Sequence, residues 1–228
     1  MASVGMYPRN LTYMVKRLAQ YTRNTFKIQS LNSTTASATQ QVVVDLPSNT
    51  LVDLNSLTWF FKYSTATSAG FADLPRNIES IIQRLELEVN GQIINGGMND
   101  YNHLWNIIAD TTFGEDITKR RCILQKGGDA GVPAANAANV SVAVQNFLGF
   151  LSSVPVLNTR MLGNVRLRIT LAPAAIMVKT HDGAGENYTL NDMFFSVDCF
   201  DLDPLFHEST EKYLASRGVV EIPVHNYF

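Results

Sequence analysis

The side chains most able to act as bases, nucleophiles or metal ligands are four histidines and two cysteines, and they are scattered along the chain. A hydrolase needs a nucleophile, a base and an orienting group within hydrogen-bond reach of one another. His103, Asp100 and Cys122, or His207 and Glu208, are the sets from which one could be assembled. No GxSxG nucleophile elbow accompanies them, and His103 stands beside Trp105 at a position where an ordinary, partly exposed helical histidine is expected. Cys122 and Cys199 belong to no CxxC pair and no Cys/His cluster, which argues against zinc and for reduced thiols. His103, His181, His207 and His225 show no HxH spacing. His181-Asp-Gly-Ala-Gly-Glu186 offers oxygen ligands but is too short for an EF-hand loop, and it reads as a hairpin turn between Lys179 and Leu190. The Gly91–Gly97 stretch lacks the Lys-Ser/Thr of a phosphate loop. These patterns predict no catalytic residue, no metal site and no bound cofactor.

The N-terminus carries a different chemistry. Arg9, Lys16, Arg17, Arg23 and Lys27 are basic, and residues 1–30 contain no Asp or Glu. Leu11, Met14, Val15 and Leu18 form an apolar stripe at helical spacing, predicting a helix from Pro8 to about Tyr21. A basic amphipathic helix can lie on an anionic membrane, touch nucleic acid or dock on another protein. The plain alternative is a helix packed under its own domain with its charges solvated.

The elements that would position these groups are mostly strands. Leu57, Trp59, Phe61 and Tyr63 alternate with Thr58, Phe60 and Lys62. The same period-two pattern recurs at Leu85–Val89, Val165–Leu171 and Met193–Cys199, giving each segment one core face. Phe60 and Phe194 interrupt the polar faces, which implies that those faces are covered in places. Weaker strands are expected at Phe26–Leu31, Gln41–Leu46, Gln92–Asn95, Cys122–Gln125, Val142–Leu148 and Ala175–Lys179, and Asn90-Gly91 has the residues of a tight hairpin turn. About eight to ten short strands without αβ alternation indicate a sandwich or barrel. Two more helices are expected, one capped by Asn99 with Tyr101, Leu104, Trp105 and Ile108 on one face, and one from Asp203-Pro204 to Gly218. Ser64–Leu74 and Gly127–Val140 read as loops.

Two ordered blocks resemble a known family. Leu85-Glu-Leu-Glu-Val-Asn-Gly-Gln92 followed by Tyr101-Asn-His-Leu-Trp-Asn-Ile107 is similar to a strand, NG hairpin and helix of the jelly-roll major capsid proteins of tailless icosahedral DNA viruses. Phe147-Leu-Gly-Phe-Leu-Ser-Ser-Val-Pro-Val-Leu157, then Val165-Arg-Leu-Arg-Ile-Thr-Leu171, resembles a later stretch of the same family. The order and spacing match over roughly residues 40–205, and no motif among them is catalytic. The resemblance implies an antiparallel β-sandwich jelly roll and a structural role in a capsid. Family members carry two rolls per chain and assemble as trimers; this length fits one roll. The tail Gly218–Phe228 resembles the entry into a second roll, so the chain is expected to be the first half of a double-roll protein, a shortened relative, or a single-roll subunit such as a pentamer-forming vertex protein.

The expectations are therefore an all-β jelly roll of about eight strands with an N-terminal, a mid-chain and a C-terminal helix. Residues 1–24 form an arm, 25–203 the roll, and 204–228 a C-terminal helix and tail. The chain is expected to be a non-enzymatic virion component that binds copies of itself and other capsid proteins, with no small-molecule substrate. Arg9, Lys16, Arg17, Arg23 and Lys27 are its candidate contacts to an internal membrane, the genome or a partner. The net charge of −2 and 17% charged residues exclude the strong basic field of a free nucleic-acid binder. Neither a signal-peptide segment nor an apolar run of about 18 residues is present, so synthesis in the host cell interior is expected. Without such a leader, the sequons at Asn10, Asn139 and Asn187 read as chance matches. A lectin-like jelly roll, which needs exposed aromatics on a concave face, and a metal-dependent jelly-roll enzyme, which needs clustered His and Glu, are the alternatives.

Overall fold

The computed structural model describes residues 21–67, 72–114, 116–117, 120–121, 138–145, 147–179, 186–202, 207–209, 212–213 and 216. Two antiparallel sheets face one another. One has the order β1 (Tyr21–Gln29), β12 (Asn187–Leu202), β4 (Leu51–Ala66), β8 (Val140–Val144). The short β2 (Ala36–Ser37) pairs with β12, and β9 (Val156–Asn158) with β4. The other sheet has the order β3 (Gln41–Asp45), β10 (Val165–Leu171), β6 (Ile82–Val89), β7 (Gln92–Met98). A two-stranded ribbon joins β5 (Ala72–Asp73) to β11 (Val178–Lys179). Followed along the sequence, the chain crosses between the two large sheets again and again. Among the described strands, consecutive ones share a sheet only at β1–β2, at the β6–β7 hairpin and at β8–β9, and this is the wrapped order of a jelly roll.

The period-two segments become the inner faces. Along β10 the pattern alternates strictly, with Val165, Leu167, Ile169 and Leu171 buried. Trp59 of β4 stacks on Phe195 of β12 at 5.6 Å between ring centroids and tilts against Phe61 at 4.7 Å. Such aromatic pairs contribute about 0.5–1.5 kcal/mol beyond the area they bury. The alternating charges on the outer face of the second sheet are complementary. Across strands, Arg166 grips Asp45 of β3 with two hydrogen bonds of 2.7 and 3.1 Å and Arg168 pairs with Glu88; within β6, Arg84 pairs with Glu86 at 2.6 Å.

The hairpin turn is as expected: Asn90 and Gly91 both have positive φ, 50° and 82°. Its tip docks on the entry to β10, where Asn90 Nδ2 donates to the Leu162 carbonyl at 2.7 Å and Oδ1 accepts from the Asn164 N–H at 3.1 Å.

Several elements differ from the sequence reading. The segment Ser64–Leu74 is not all loop: β4 runs on to Ala66 because β12 pairs with it as far as Asn187, and Asp73 is buried, accepting from the Tyr63 hydroxyl at 2.6 Å. The strand expected at Val142–Leu148 is β8, displaced toward the N-terminus. After it Gly149, at φ 77°, starts a helical turn over Phe150–Ser153. Ala175–Lys179 begins in a 3-10 turn (Ala174–Ile176), only Val178–Lys179 is extended, and β11 pairs with β5 rather than with β12.

Helix α1 (Tyr101–Thr112) is capped by Asp100, not Asn99, and through its backbone carbonyl, which accepts from His103 and Leu104. Two short helices, α2 (Phe150–Ser153) and α3 (Thr159–Leu162), were not anticipated. β1 begins at Tyr21, where the N-terminal helix was expected to end, and residues 1–20 lie outside the described residues. The same holds for Cys122–Gln125, most of Gly127–Val140, the 180–185 turn and both ends of the C-terminal helix, of which residues 207–209, 212–213 and 216 are helical.

Candidate functional site

Two of the five basic residues singled out in the sequence are described, and both are engaged on the outer face of β1. Arg23 Nε donates to Asp198 Oδ2 of β12 at 2.9 Å, and Thr25 Oγ1 donates to Oδ1 at 2.6 Å. These bonds hold the Asp198 carboxyl below its ordinary range. Lys27 Nζ sits 4.2 Å from the centroid of the Phe194 ring, which stacks on Phe60 at 5.0 Å. Lys27, Phe194 and Phe60 therefore form a row across three adjacent strands. Arg9, Lys16 and Arg17 lie outside the described residues.

This row borders a shallow cleft of about 530 Å³ on the outer face of the first sheet, lined also by Lys62 and Asp192. Lys62 donates to Asp192 at 2.8 Å and keeps its carboxyl ionised below the usual range. The cleft offers cations and aromatic surface, with Ser141 opposite Lys62 across the β4–β8 pair.

Among the described residues, the candidate catalytic groups are not brought together. His103 is exposed on α1 and its backbone N–H, not its ring, meets the Asp100 carbonyl at 3.0 Å. Glu208 is exposed and takes a bond from Lys212 at 2.6 Å, while His207 is buried. Cys122, His181 and His225 lie outside the described residues. Among the described residues no three His, Cys, Asp or Glu side chains gather as metal ligands. Gly91 forms the hairpin turn, and residues 92–98 are strand rather than a phosphate-cradling loop. Cys199 is buried as a free thiol, its pKa pushed up to about 11 by burial.

Sequence reading missed one cluster. Glu79, on a 3-10 turn before β6, is 1% exposed and receives Arg121 Nη2 at 2.6 Å. The Arg121 guanidinium also covers Trp105 of α1 at 4.5 Å and Phe113 at 5.1 Å. The signal available was the lone acid in the apolar run Ile78-Glu-Ser-Ile-Ile82.

No protein-family model matches the sequence, and no curated protein does. Solved structures do match. VP54 of PBCV-1, in a structure fitted into a reconstruction of the Sputnik virophage, superposes with a TM-score of 0.54 at 18% identity, over 83% of this chain and 44% of that one. A quasi-atomic model of the PBCV-1 virus capsid gives the same TM-score and identity over 84% and 44%. The chain folds as a jelly roll like those of these capsid proteins. A third match, the STIV MCP, has a TM-score of 0.44 at 16% identity over 78% and 48% and adds nothing to this. The chain spans 44% of the length of each of the first two, so the likeness concerns one jelly roll and not the whole of those proteins. Jelly rolls of this kind also occur in lectins and cupins. The two tryptophans that a sugar site would expose, Trp59 and Trp105, are 0% and 4% exposed.

Proposed function

We propose that this chain is a structural subunit of the icosahedral shell of a virus, assembled from copies of itself with other capsid proteins, and that it is not an enzyme. The observation that supports this is the superposition of the two facing sheets, β1-β12-β4-β8 over β3-β10-β6-β7, on PBCV-1 capsid chains with a TM-score of 0.54. Function is then geometry. Hydrogen-bonded sheets make a stiff block, and the flanks and loops are left for neighbours. In this reading the protein is made in the host cell interior and ends in the virion. Particle formation by the purified chain, followed by sedimentation and electron microscopy, is the test. Rings or shells are expected. A monomer at every concentration, with stoichiometric binding on a glycan array, would instead make it a lectin.

The arm, roll and tail division belongs to the same proposal. Residues preceding β1, with Arg9, Lys16 and Arg17, supply an interior contact to anionic phosphate groups. Arg23 and Lys27 are committed to β1 and contribute less to it. Because β1 starts at Tyr21, the informative truncation removes residues 1–20. The roll should unfold at the same urea concentration as the full chain while losing binding to anionic vesicles or to DNA, the two arms that separate lipid from genome. Loss of the fold would show that the segment is part of the core.

A further inference from the structure

The sequence holds two Asn-Gly pairs, Asn90-Gly91 and Asn95-Gly96. This dipeptide has a chemistry of its own. The glycine nitrogen, once deprotonated, attacks the asparagine side-chain carbonyl carbon, because glycine has no side chain to shield the approach. A C–N bond forms, ammonia leaves, and the succinimide ring that results takes up water at either carbonyl to give aspartate or isoaspartate. Water is the only co-reactant, and nothing is oxidised or reduced. Asn95-Gly96 lies within β7, where Asn95 is paired with Leu87 of β6. Asn90-Gly91 is the tip of the β6–β7 hairpin, exposed to water, with both residues at positive φ. Sheet pairing holds Asn95, whereas only the turn and its docking hold Asn90.

The dock is the segment between α3 and β10. The Asn90 N–H donates to the Asn164 carbonyl at 2.9 Å. The Asn90 carboxamide donates from Nδ2 to the Leu162 carbonyl at 2.7 Å and accepts at Oδ1 from the Asn164 N–H at 3.1 Å. Between these partners Gly163 leaves the space in which the carboxamide lies. A Cβ there would stand 2.4 Å from Asn90 Oδ1 and 3.1 Å from Cγ, the atom that the Gly91 nitrogen must reach. Both ends of the carboxamide are thus engaged by residues 162–164, and ring closure requires the tip to leave its dock. Conversion then bars the way back. An aspartate side chain at this position has no donor for the Leu162 carbonyl and sets a negative oxygen against it. Isoaspartate also inserts an extra backbone carbon into a two-residue turn whose length fixes the pairing of Val89 with Gln92.

We infer that Asn90 is a site of spontaneous modification, a one-way covalent switch that stays unset while the hairpin tip is docked on Gly163 and is set when the tip is released. β7 is the terminal strand of its sheet and leads within two residues into α1, so a set switch loosens an edge that no outer strand holds. Asn90 behaves this way whether or not the chain enters a capsid.

The test incubates the full chain in warm, mildly alkaline buffer and follows Asn90 by peptide mapping with mass spectrometry, with isoaspartyl methyltransferase labelling to count the iso form. Two docking hydrogen bonds of ordinary strength lower the undocked fraction by about 10-fold or more, so Asn90 should convert more slowly by that factor in the native chain than in the same chain in denaturing urea. Gly163→Ala, folded by circular dichroism, should convert at nearly the unfolded rate, because the added Cβ displaces the carboxamide. Asn90→Asp should melt below the wild type. Equal rates in native buffer and in urea would overturn the inference. So would an unchanged rate in folded Gly163→Ala, or an Asn90→Asp chain that melts with the wild type. If Gly163→Ala does not fold, hydrogen exchange of the Asn90 and Asn164 amides in the wild type measures the docked fraction instead. Slowing of the conversion that matches this protection supports the dock as the guard. Conversion that rises only with global unfolding in increasing urea overturns it.

Discussion

Arg121→Ala takes the guanidinium away from Glu79, whose side chain is 1% exposed and lies 2.6 Å from Arg121 Nη2. Removing one partner of a buried ion pair costs about 3–5 kcal/mol, chiefly because the remaining charge stays in a poorly solvated place. Arg121 keeps 15% exposure, which puts the cost toward the lower end. Lifting the cation from Trp105 and Phe113 adds about 0.5–1 kcal/mol. The total, about 3–4 kcal/mol, corresponds to a fall in Tm of roughly 6–16 °C for a domain of this size. Urea unfolding followed by tryptophan fluorescence and far-ultraviolet circular dichroism measures it. A double-mutant cycle with Glu79→Gln and Arg121→Met isolates the pair, and the double variant should recover most of the loss, since an apolar replacement no longer strands a charge. A cost below about 1 kcal/mol for Arg121→Ala, or strict additivity in the cycle, would refute the coupling of the segment after α1 to the turn before β6.

Three further outcomes are expected. Asp198→Asn should lower stability by about 1 kcal/mol at neutral pH, the pair being partly exposed through Arg23. Because the Asp198 carboxyl is held below its ordinary 3.8, its contribution is complete above that value and vanishes as pH falls through the lowered native one. Urea midpoints from pH 7 to pH 3 should therefore fall more steeply in the wild type than in the variant below about pH 4, and parallel curves would contradict this. In a Cys122→Ser background the Cys199 thiol, raised to about 11, should react with Ellman's reagent no faster than the chain unfolds; prompt stoichiometric labelling would show it to be accessible. Gly163→Ala should destabilise by at least about 1–3 kcal/mol, since φ is +75° and an added Cβ would fall 2.4 Å from Asn90 Oδ1, whereas an unchanged thermal midpoint would show that the hairpin tip is free to move.

Much of the candidate site was legible because strand chemistry is local. The interruption of polar faces by Phe60 and Phe194 pointed to a covered patch, and these two rings do stack in one row with Lys27. What was illegible depended on neighbours distant in sequence. Arg23 and Lys27 read as part of a free basic arm, yet β12 supplies Asp198 and Phe194 to engage them. Ser64–Ala66 read as loop from composition and became strand because β12 pairs with it. The turns at Gly149 and Asn158 hide in apolar runs whose period fits helix and strand alike.

By itself the sequence determined the inner faces of the main alternating strands, the Asn90-Gly91 turn and Tyr101 and Trp105 as buried anchors of α1, since side-chain periodicity and backbone preference act within a few residues. It also held the complementary charges of Arg166 and Arg168 against Asp45 and Glu88. Only the tertiary structure decided which strands lie side by side, that β3 is sealed by Asn32, and that Phe26, Ile93 and Ile94 stay open to solvent. An edge is a property of the sheet order, and that order is settled by burial summed over the whole chain rather than by any one segment.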